Sequence, residues 1–124
     1  MLPYYKIMNY SADRGKLKTL FHANNGSKII PIKEWVWASK HKLVADGSNN
    51  TPYMSGWHIM KSKKDALKYL LEGFKVLKNK VIVECFCMGD IRQKEHSRSN
   101  IWLCQAIYLN QVVYLYVGDK EVDK

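Results

Sequence analysis

The chain has 124 residues, with 20 Lys and Arg against 11 Asp and Glu, so its formal net charge at pH 7 is +9. This length fits one domain, residues 1–124, and leaves little room for a second. Apolar residues make up 47% and charged residues 25%, a globular balance that excludes a disordered tail or a fibrous repeat. No apolar run approaches the roughly 20 residues of a membrane-spanning helix, and the first residues lack a secretory signal, so we expect a cytoplasmic protein without membrane contact.

The surplus of positive charge predicts an anionic partner, which could be nucleic acid, a nucleotide or an acidic protein surface. The alternative is that the charge only keeps the protein soluble. The three cysteines, Cys85, Cys87 and Cys104, are an odd number without a disulfide framework. Cys85 and Cys87 would share one face of a strand, and no second Cys pair completes a zinc site. We expect reduced core thiols, no metal and no cofactor; metal binding that includes His96 is the alternative.

The first half of the chain predicts mainly strands. Residues 4–10 and 17–22 are expected to pair as an opening hairpin, because a turn sequence separates them. Residues 29–38 are compatible with a strand or a short helix. Residues 39–52 predict a surface loop, and residues 53–60 a further strand.

A single amphipathic helix follows. Ser62 is followed three residues later by Asp65, a variant of the capping box that satisfies free backbone N–H groups at a helix start. Apolar residues then recur at helical spacing over about four turns. These residues are Ala66, Leu67, Leu70, Phe74 and Leu77.

The remaining sequence predicts three strands, over residues 80–88, 100–109 and 112–117, with Asn110 and Gln111 as a tight connection between the last two. Residues 119–124 are expected to be a frayed charged tail. An unpaired edge at residues 112–117 would permit a dimer, although the oligomeric state stays open. The fold class is therefore α+β, with one amphipathic helix packed on an antiparallel or mixed sheet of about five to six strands.

Lysines occupy the side of the predicted helix that is opposite the apolar stripe. Lys61 and Lys63 precede or open the helix, and only Glu72 interrupts the basic series. Like charges at this spacing repel by a few tenths of a kcal/mol per pair, which suggests that an anion binds there; a merely solvated face is the alternative. The lysines that share this side are Lys64, Lys68, Lys75 and Lys78.

A second basic patch is expected in the loop before the penultimate strand, where small polar residues separate Arg92, Lys94, His96 and Arg98. The guanidinium group offers a planar fork to phosphate. If this loop and the lysine face lie on one side, they form a continuous footprint for a phosphate backbone. No recognised nucleic-acid-binding motif accompanies the patch.

Four tryptophans are numerous for this length. Trp35, Trp37 and Trp57 are candidate aromatic contacts for a partner, because aromatic residues concentrate at binding hot spots. Packing in the core is the commoner role of such residues and is the alternative.

The order of several short motifs resembles that of small ADP-ribosyltransferase-like domains. A strand ends in His22, a glycine-containing aromatic string begins at Tyr53, and Glu84 lies within an apolar strand after the helix. The resemblance implies NAD binding, with His22 on the ribose or phosphates and Tyr53 stacked on nicotinamide. Glu84 would hold a ribose hydroxyl and stabilise the developing oxocarbenium charge. The chain departs from the family pattern where His58 replaces the expected Tyr, and no second acid accompanies Glu84.

The strings Gly56-Trp57-His58-Ile59 and Asp65-Ala66-Leu67-Lys68-Tyr69 also resemble small bacteriophage proteins. This resemblance implies an inhibitor that binds a host defence complex or its nucleic-acid or nucleotide signal. No catalytic motif is present in the sequence. We therefore expect a non-enzymatic basic binding module for nucleic acid or a nucleic-acid-associated complex, with the NAD-binding enzyme as the alternative.

Overall fold

The computed structural model describes residues 1–11, 16–19, 29–38, 43–45, 52–54, 56–75, 77–94, 100–117 and 120–123. Within these ranges the chain forms twelve strands and one helix. In chain order they are β1 (Tyr4–Ser11), β2 (Lys16–Thr19), β3 (Ile29–Ile30), β4 (Trp35–Trp37), β5 (Leu43–Ala45), β6 (Pro52–Met54), β7 (Trp57–Ile59), α1 (Lys63–Gly73), β8 (Lys80–Met88), β9 (Arg92–Gln93), β10 (Trp102–Cys104), β11 (Ala106–Val117) and β12 (Lys120–Asp123).

The main sheet has the order β12-β11-β8-β1-β2-β3, and each of these pairs is antiparallel. β4 also pairs with β11, on the edge that β12 occupies but at the opposite end of the strand. Two smaller sheets have the orders β7-β10-β9 and β5-β6. The architecture confirms the predicted α+β class, with one described helix and antiparallel sheets.

The segment after β3 returns to β11 and bends the sheet back on itself. Ile32 forms a parallel bridge with Leu109, and the Lys33 amide donates a hydrogen bond of 2.9 Å to the Leu109 carbonyl. The strand path β11-β8-β1-β2-β3 therefore encloses one face of the sheet. We call this the inner face and the opposite one the outer face.

The inner face carries the larger apolar cluster. Side chains alternate between the two faces of a strand, so every second residue of β1, β8 and β11 points inward. Trp57, Ile59 and Cys104 from β7 and β10 join this cluster. The buried residues that the main sheet contributes are Met8, Leu17, Ile30, Val81, Val83, Cys85, Cys87, Ile107 and Leu109.

The helix covers one end of the outer face. Its buried residues Ala66 and Leu70 pack in one cluster with Ile7, Ile82 and Tyr114 of the sheet. Burying these apolar side chains stabilises the helix by about 25 cal/mol per Å² removed from water, more than helix propensity alone could supply.

Both ends of the helix bear on the sequence prediction. Ser62 is the N-cap, and its Oγ accepts a 3.0 Å hydrogen bond from the Asp65 amide, which confirms the predicted start. The helix ends at Gly73 after 11 residues, about three turns, so the predicted fourth turn is wrong. Phe74 has extended backbone, yet Phe74 and Leu77 still pack against the helix cluster. Burial was therefore read correctly from their spacing, but burial does not require helical backbone.

The predicted connection at Asn110 and Gln111 is wrong, because β11 continues through it. The register between β11 and β8 shifts between Leu109 and Gln111, and again between Val112 and Tyr114. Such bulges insert an extra residue without ending the strand. Pairing with the long β8 on both sides of these residues overrides their local turn preference.

The ends of the sheet hold further corrections. Lys120–Asp123, predicted as a frayed tail, forms β12 and pairs with residues 114–117 of β11. The edge expected to be open for a dimer is therefore paired within the chain over those residues. Residues 29–38 hold two short strands, and residues 43–45 of the predicted loop pair with residues 52–54. The opening hairpin and the strand at residues 80–88 are confirmed.

Candidate functional site

The five lysines predicted to bind an anion around the helix are exposed. Lys64 and Lys68 lie one turn apart on α1, on the side opposite Ala66 and Leu70. Lys61 precedes the helix, and Lys75 and Lys78 follow it. The helical-wheel position predicted for Lys75 and Lys78 is therefore wrong, because α1 ends at Gly73. Within the described chain, no side-chain hydrogen bond or ion pair engages Lys64, Lys68, Lys75 or Lys78. The exposed set is Lys61, Lys64, Lys68, Lys75 and Lys78.

Lys61 stands beside the helix start. Its Nζ lies 3.7 Å from the centroid of the Trp102 ring, a cation–π contact that orients the side chain while leaving it exposed. Together with Lys63, Lys61 also lines a shallow surface depression that includes Pro3 and Tyr5 of the β1 end. The helix start therefore presents positive charge next to the outer face of the main sheet.

The second basic patch shares a side with the helix. Arg92 and Lys94 lie on the face of the β7-β10-β9 sheet that carries Ile101, as strand alternation and the Lys94–Ile101 backbone hydrogen bond require. Ile101 packs in one cluster with Ala66 of the helix. Arg92 is paired with Asp90, with 3.2 Å between Nη1 and Oδ2. The continuous footprint stays a prediction, because the exposed lysines of α1 lie on the side of the helix opposite Ala66.

Three aromatic side chains lie side by side on the outer face, beyond the part that the helix covers. Tyr108 of β11 stands opposite Trp35 of β4 on one side and opposite Phe86 of β8 on the other. The Trp35 and Tyr108 ring centroids are 5.5 Å apart, and those of Phe86 and Tyr108 are 6.2 Å apart. We call these three residues the aromatic row. Trp35 is 37% exposed, and Trp37, further along the same face, is 56% exposed.

A polar network borders the aromatic row. Glu84 Oε1 accepts hydrogen bonds from Asn110 Nδ2 at 3.0 Å and from Gln111 Nε2 at 3.5 Å. Asn110 Oδ1 in turn accepts a 2.6 Å hydrogen bond from Lys33 Nζ. Glu84 lies two residues from Phe86 on the same strand, so both side chains project from the outer face. The network ends at the Lys33 ammonium group, and Gln111 is exposed.

Trp57, the third predicted aromatic contact, belongs to the core instead. It is 9% exposed, and its Nε1 donates a 2.9 Å hydrogen bond to the Val36 carbonyl. That bond satisfies the buried indole N–H and ties β7 to β4. Trp57 is therefore too buried to contact a partner, whereas Trp35 and Trp37 remain candidates.

Of the residues that carried the enzyme alternative, the structure describes the side-chain contacts of Glu84 only. His22 lies outside the described residues, as do His96 and Arg98 of the second basic patch. Tyr53 lies on β6 and pairs with β5 in a separate two-stranded sheet. Glu84 is held by the two amides on the outer face.

The sequence reading missed a buried lysine. Lys6 is 6% exposed on the inner face, and its Nζ donates a 2.8 Å hydrogen bond to the His58 carbonyl. Burial lowers the pKa of Lys6, and the nearby thiols of Cys85, Cys104 and Cys87 oppose that shift. The available signal was the alternation of β1, because the residues two positions away on either side of Lys6 face the inner cluster.

The thiols beside Lys6 are structural. All three cysteines are buried and free of disulfides, as predicted. The hydrogen bond with Cys87 and the burial of the side chain raise the pKa of the Cys104 thiol, so it stays protonated and unreactive at neutral pH. Among the described residues, no group of three or more His, Cys, Asp or Glu side chains could hold a metal ion.

A comparison with protein-family models, with curated proteins and with solved structures gives no match for this chain. The resemblances to ADP-ribosyltransferase-like domains and to bacteriophage proteins stay predictions. The described part of the chain contains no helix of the length and apolar character needed to cross a membrane. The exposed side chains of the described residues are therefore the basis for a proposed function.

Proposed function

We propose that this protein is a non-enzymatic binding module that holds nucleic acid against its basic surface. The observation that carries the proposal is the set of exposed lysines on and after the helix: Lys64, Lys68, Lys75 and Lys78 have no ion-pair partner in the described chain. On a chain of net charge +9, these cations repel one another, and a bound anion would offset that repulsion. A phosphate backbone supplies such an anion along its whole length.

The distribution of charge favours a polymer over a single nucleotide. Small ligands bind in concave pockets that bury most of their surface. Here Lys64 and Lys68 project from an exposed helix side, Lys75 and Lys78 continue beyond it, and Lys94 lies on the helix side of the small sheet. A phosphate chain can contact cations spread in this way one after another, releasing a counterion at each.

The test is a double charge reversal, Lys64→Glu with Lys68→Glu, measured by fluorescence anisotropy with labelled single- and double-stranded oligonucleotides across a salt series. We expect at least about a tenfold loss of affinity at low salt. The slope of log affinity against log salt should fall by about 1.4 to 1.8, the value for two lost phosphate contacts. The parent protein must itself lose affinity steeply with added salt.

The control for charge alone is Lys68→Glu against Lys18→Glu, since both change the net charge equally and Lys18 lies on β2. Only the helix variant should lower affinity strongly, and far-UV circular dichroism should show both folded. Unchanged binding by the double variant would remove these lysines from the interface. If the parent protein binds no oligonucleotide even at low salt, the proposal fails.

A further inference from the structure

We propose that the aromatic row is a stacking platform for the unpaired bases of a single-stranded nucleic acid. The inference rests on the proposed function and narrows its ligand to single strands. Aromatic side chains on an open sheet surface stack on bases of any sequence, because every base has a π-face. The row consists of such side chains, on three adjacent strands and in direct cross-strand register.

Exposure distinguishes this part of the sheet. Trp35 and Trp37 point from successive outward positions of β4 into solvent, although large aromatic side chains normally bury most of their surface. At the other end of the same face, α1 covers Ile82 and Tyr114. The row thus lies on the section of the outer face that the helix leaves open, and Trp37 extends its exposed aromatic surface along β4.

Positive charge flanks the row. Lys33, two residues before Trp35, reaches Asn110 with its Nζ, alongside the row. Beyond Phe86, the register of β1 with β8 places Tyr5 opposite Glu84, and Tyr5 shares a surface depression with Lys61 and Lys63. A strand whose bases lie on the rings would place its phosphates near these cations. This charge complementarity favours nucleic acid over an apolar protein surface as the occupant.

The polar network supplies groups for base edges. Asn110 and Gln111 offer amide groups next to the rings, and Glu84 offers a carboxylate that accepts hydrogen bonds. Amides and carboxylates are the groups that contact the hydrogen-bonding edges of unpaired bases. The carboxylate also repels phosphate, which favours the arrangement with bases over the row and phosphates near the flanking lysines.

A duplex cannot use this surface in the same way, because its bases are stacked on each other and paired. The proposal therefore predicts a preference for single strands that phosphate contacts alone would not create. The decisive probes are oligonucleotides of about 12 nucleotides, within the range that single-strand-binding domains occupy. They are oligo-dT, oligo-U, an abasic strand of equal length, and a duplex of equal length.

The first variant is Trp35→Ala, measured with all four probes at one salt concentration. Loss of one base–ring stack, about 1 to 3 kcal/mol, corresponds to roughly a 5- to 150-fold loss of affinity for oligo-dT and oligo-U. Binding of the abasic strand should change less than about twofold, since it has no base to stack. Trp35→Phe keeps a ring and should restore most of the affinity.

Two further variants separate stacking from folding. Trp37→Ala removes the most exposed tryptophan and should also weaken binding of oligo-dT but not of the abasic strand. Ile29→Ala removes an exposed apolar side chain from β3, opposite Lys18, and should leave all four affinities unchanged. Thermal unfolding of each variant shows whether the fold persists.

The outcomes separate this proposal from the one on which it rests. If Trp35→Ala and Trp37→Ala leave oligo-dT and oligo-U binding unchanged, or weaken the abasic strand equally, the stacking platform is overturned. The basic module would still stand if Lys64→Glu with Lys68→Glu weakens every probe. Equal affinity of the parent protein for duplex and single strand also overturns the platform. Tighter binding of oligo-dT or of oligo-U identifies DNA or RNA as the source, and either supports it.

Discussion

The two faces of the main sheet differ in a way that residue type alone would not suggest. The inner face encloses Lys6, a charged residue, whereas the outer face exposes Trp35 and Trp37. Neighbours on one strand show the same division, since Ile107 is fully buried inside and Tyr108 stands in the aromatic row outside. Position in the register, rather than polarity, decides which side chain is enclosed.

The buried lysine shows how an unfavourable residue is accommodated. Its Nζ has a carbonyl partner from His58, so the hydrogen-bonding need of the ammonium group is partly met. Among the described residues, its ionisable neighbours are thiols rather than carboxylates, so none of them offsets the loss of hydration with a full negative charge. The aromatic row is the opposite case, because its ring at Trp35 is 37% exposed although it is apolar.

The largest expected effect comes from truncating two adjacent residues of β11, one on each face of the sheet. Ile107→Ala should lower the free energy of unfolding by about 2 to 5 kcal/mol, because it leaves a cavity in the inner cluster. Tyr108→Ala should lower it by only about 1 kcal/mol, the scale of cross-strand aromatic pairs on an open face. Urea denaturation of both variants measures the difference. Equal losses would show that the outer row is packed like the core.

The burial of Lys6 should make the stability of the protein depend on pH. Because its folded pKa lies below 10.5, the unfolded state binds more protons between the two values, so the free energy of unfolding should rise with pH. The slope can reach about 1.4 kcal/mol per pH unit. Lys6→Met should abolish this slope. Relative to the parent protein, the variant should be most stable at the low-pH end of this range.

The thiols act with the opposite sign. The pKa values of Cys87 and Cys104 are raised above 9.0, so the folded state retains their protons longer and stability falls as pH rises beyond that value. The Lys6 measurement is therefore made by urea denaturation below pH 9.0. Lys18→Met on β2 is the matched control and should keep the parental slope. A Lys6→Met variant that keeps that slope would disprove the assignment to Lys6.

The smallest expected effect concerns the helix that covers one end of the outer face. Ser62→Ala removes the acceptor of the Asp65 amide and should lower stability by about 1 kcal/mol. Ser62→Asp keeps an acceptor at the N-cap and should stay close to the parent protein. Thermal unfolding compares the three proteins. A loss in both variants would indicate that packing around Ser62, rather than capping, maintains the helix start.

Several elements could be predicted because their signals are local. The capping hydroxyl of Ser62 lies three residues from its partner, and the apolar run of β8 is visible within its own nine residues. The helix end was misjudged because the apolar spacing continues to Leu77 after the backbone has become extended at Phe74. The continuity of β11 was missed because its partner lies more than 20 residues earlier in the chain.

The candidate site divides in the same manner. The exposed lysines of the helix follow from composition and spacing. The sequence also named Trp35 and Trp37 as candidate contacts, and the structure exposes both. It could not assign Trp57 to the core, since the Val36 carbonyl that accepts its N–H belongs to another strand. It also missed Tyr108 and Phe86, whose alignment with Trp35 depends on the register of three strands.

By itself, the sequence determined the fold class, the helix start, the central strand and the surplus of positive charge. Each depends on residues within a few positions of one another or on composition alone. Only the tertiary structure decided which face of the sheet is enclosed, and hence that Lys6 is buried and the aromatic row is open. The reason is physical: alternation assigns residues to two faces, but closure through Ile32 and Leu109 and the docking of the helix choose between them.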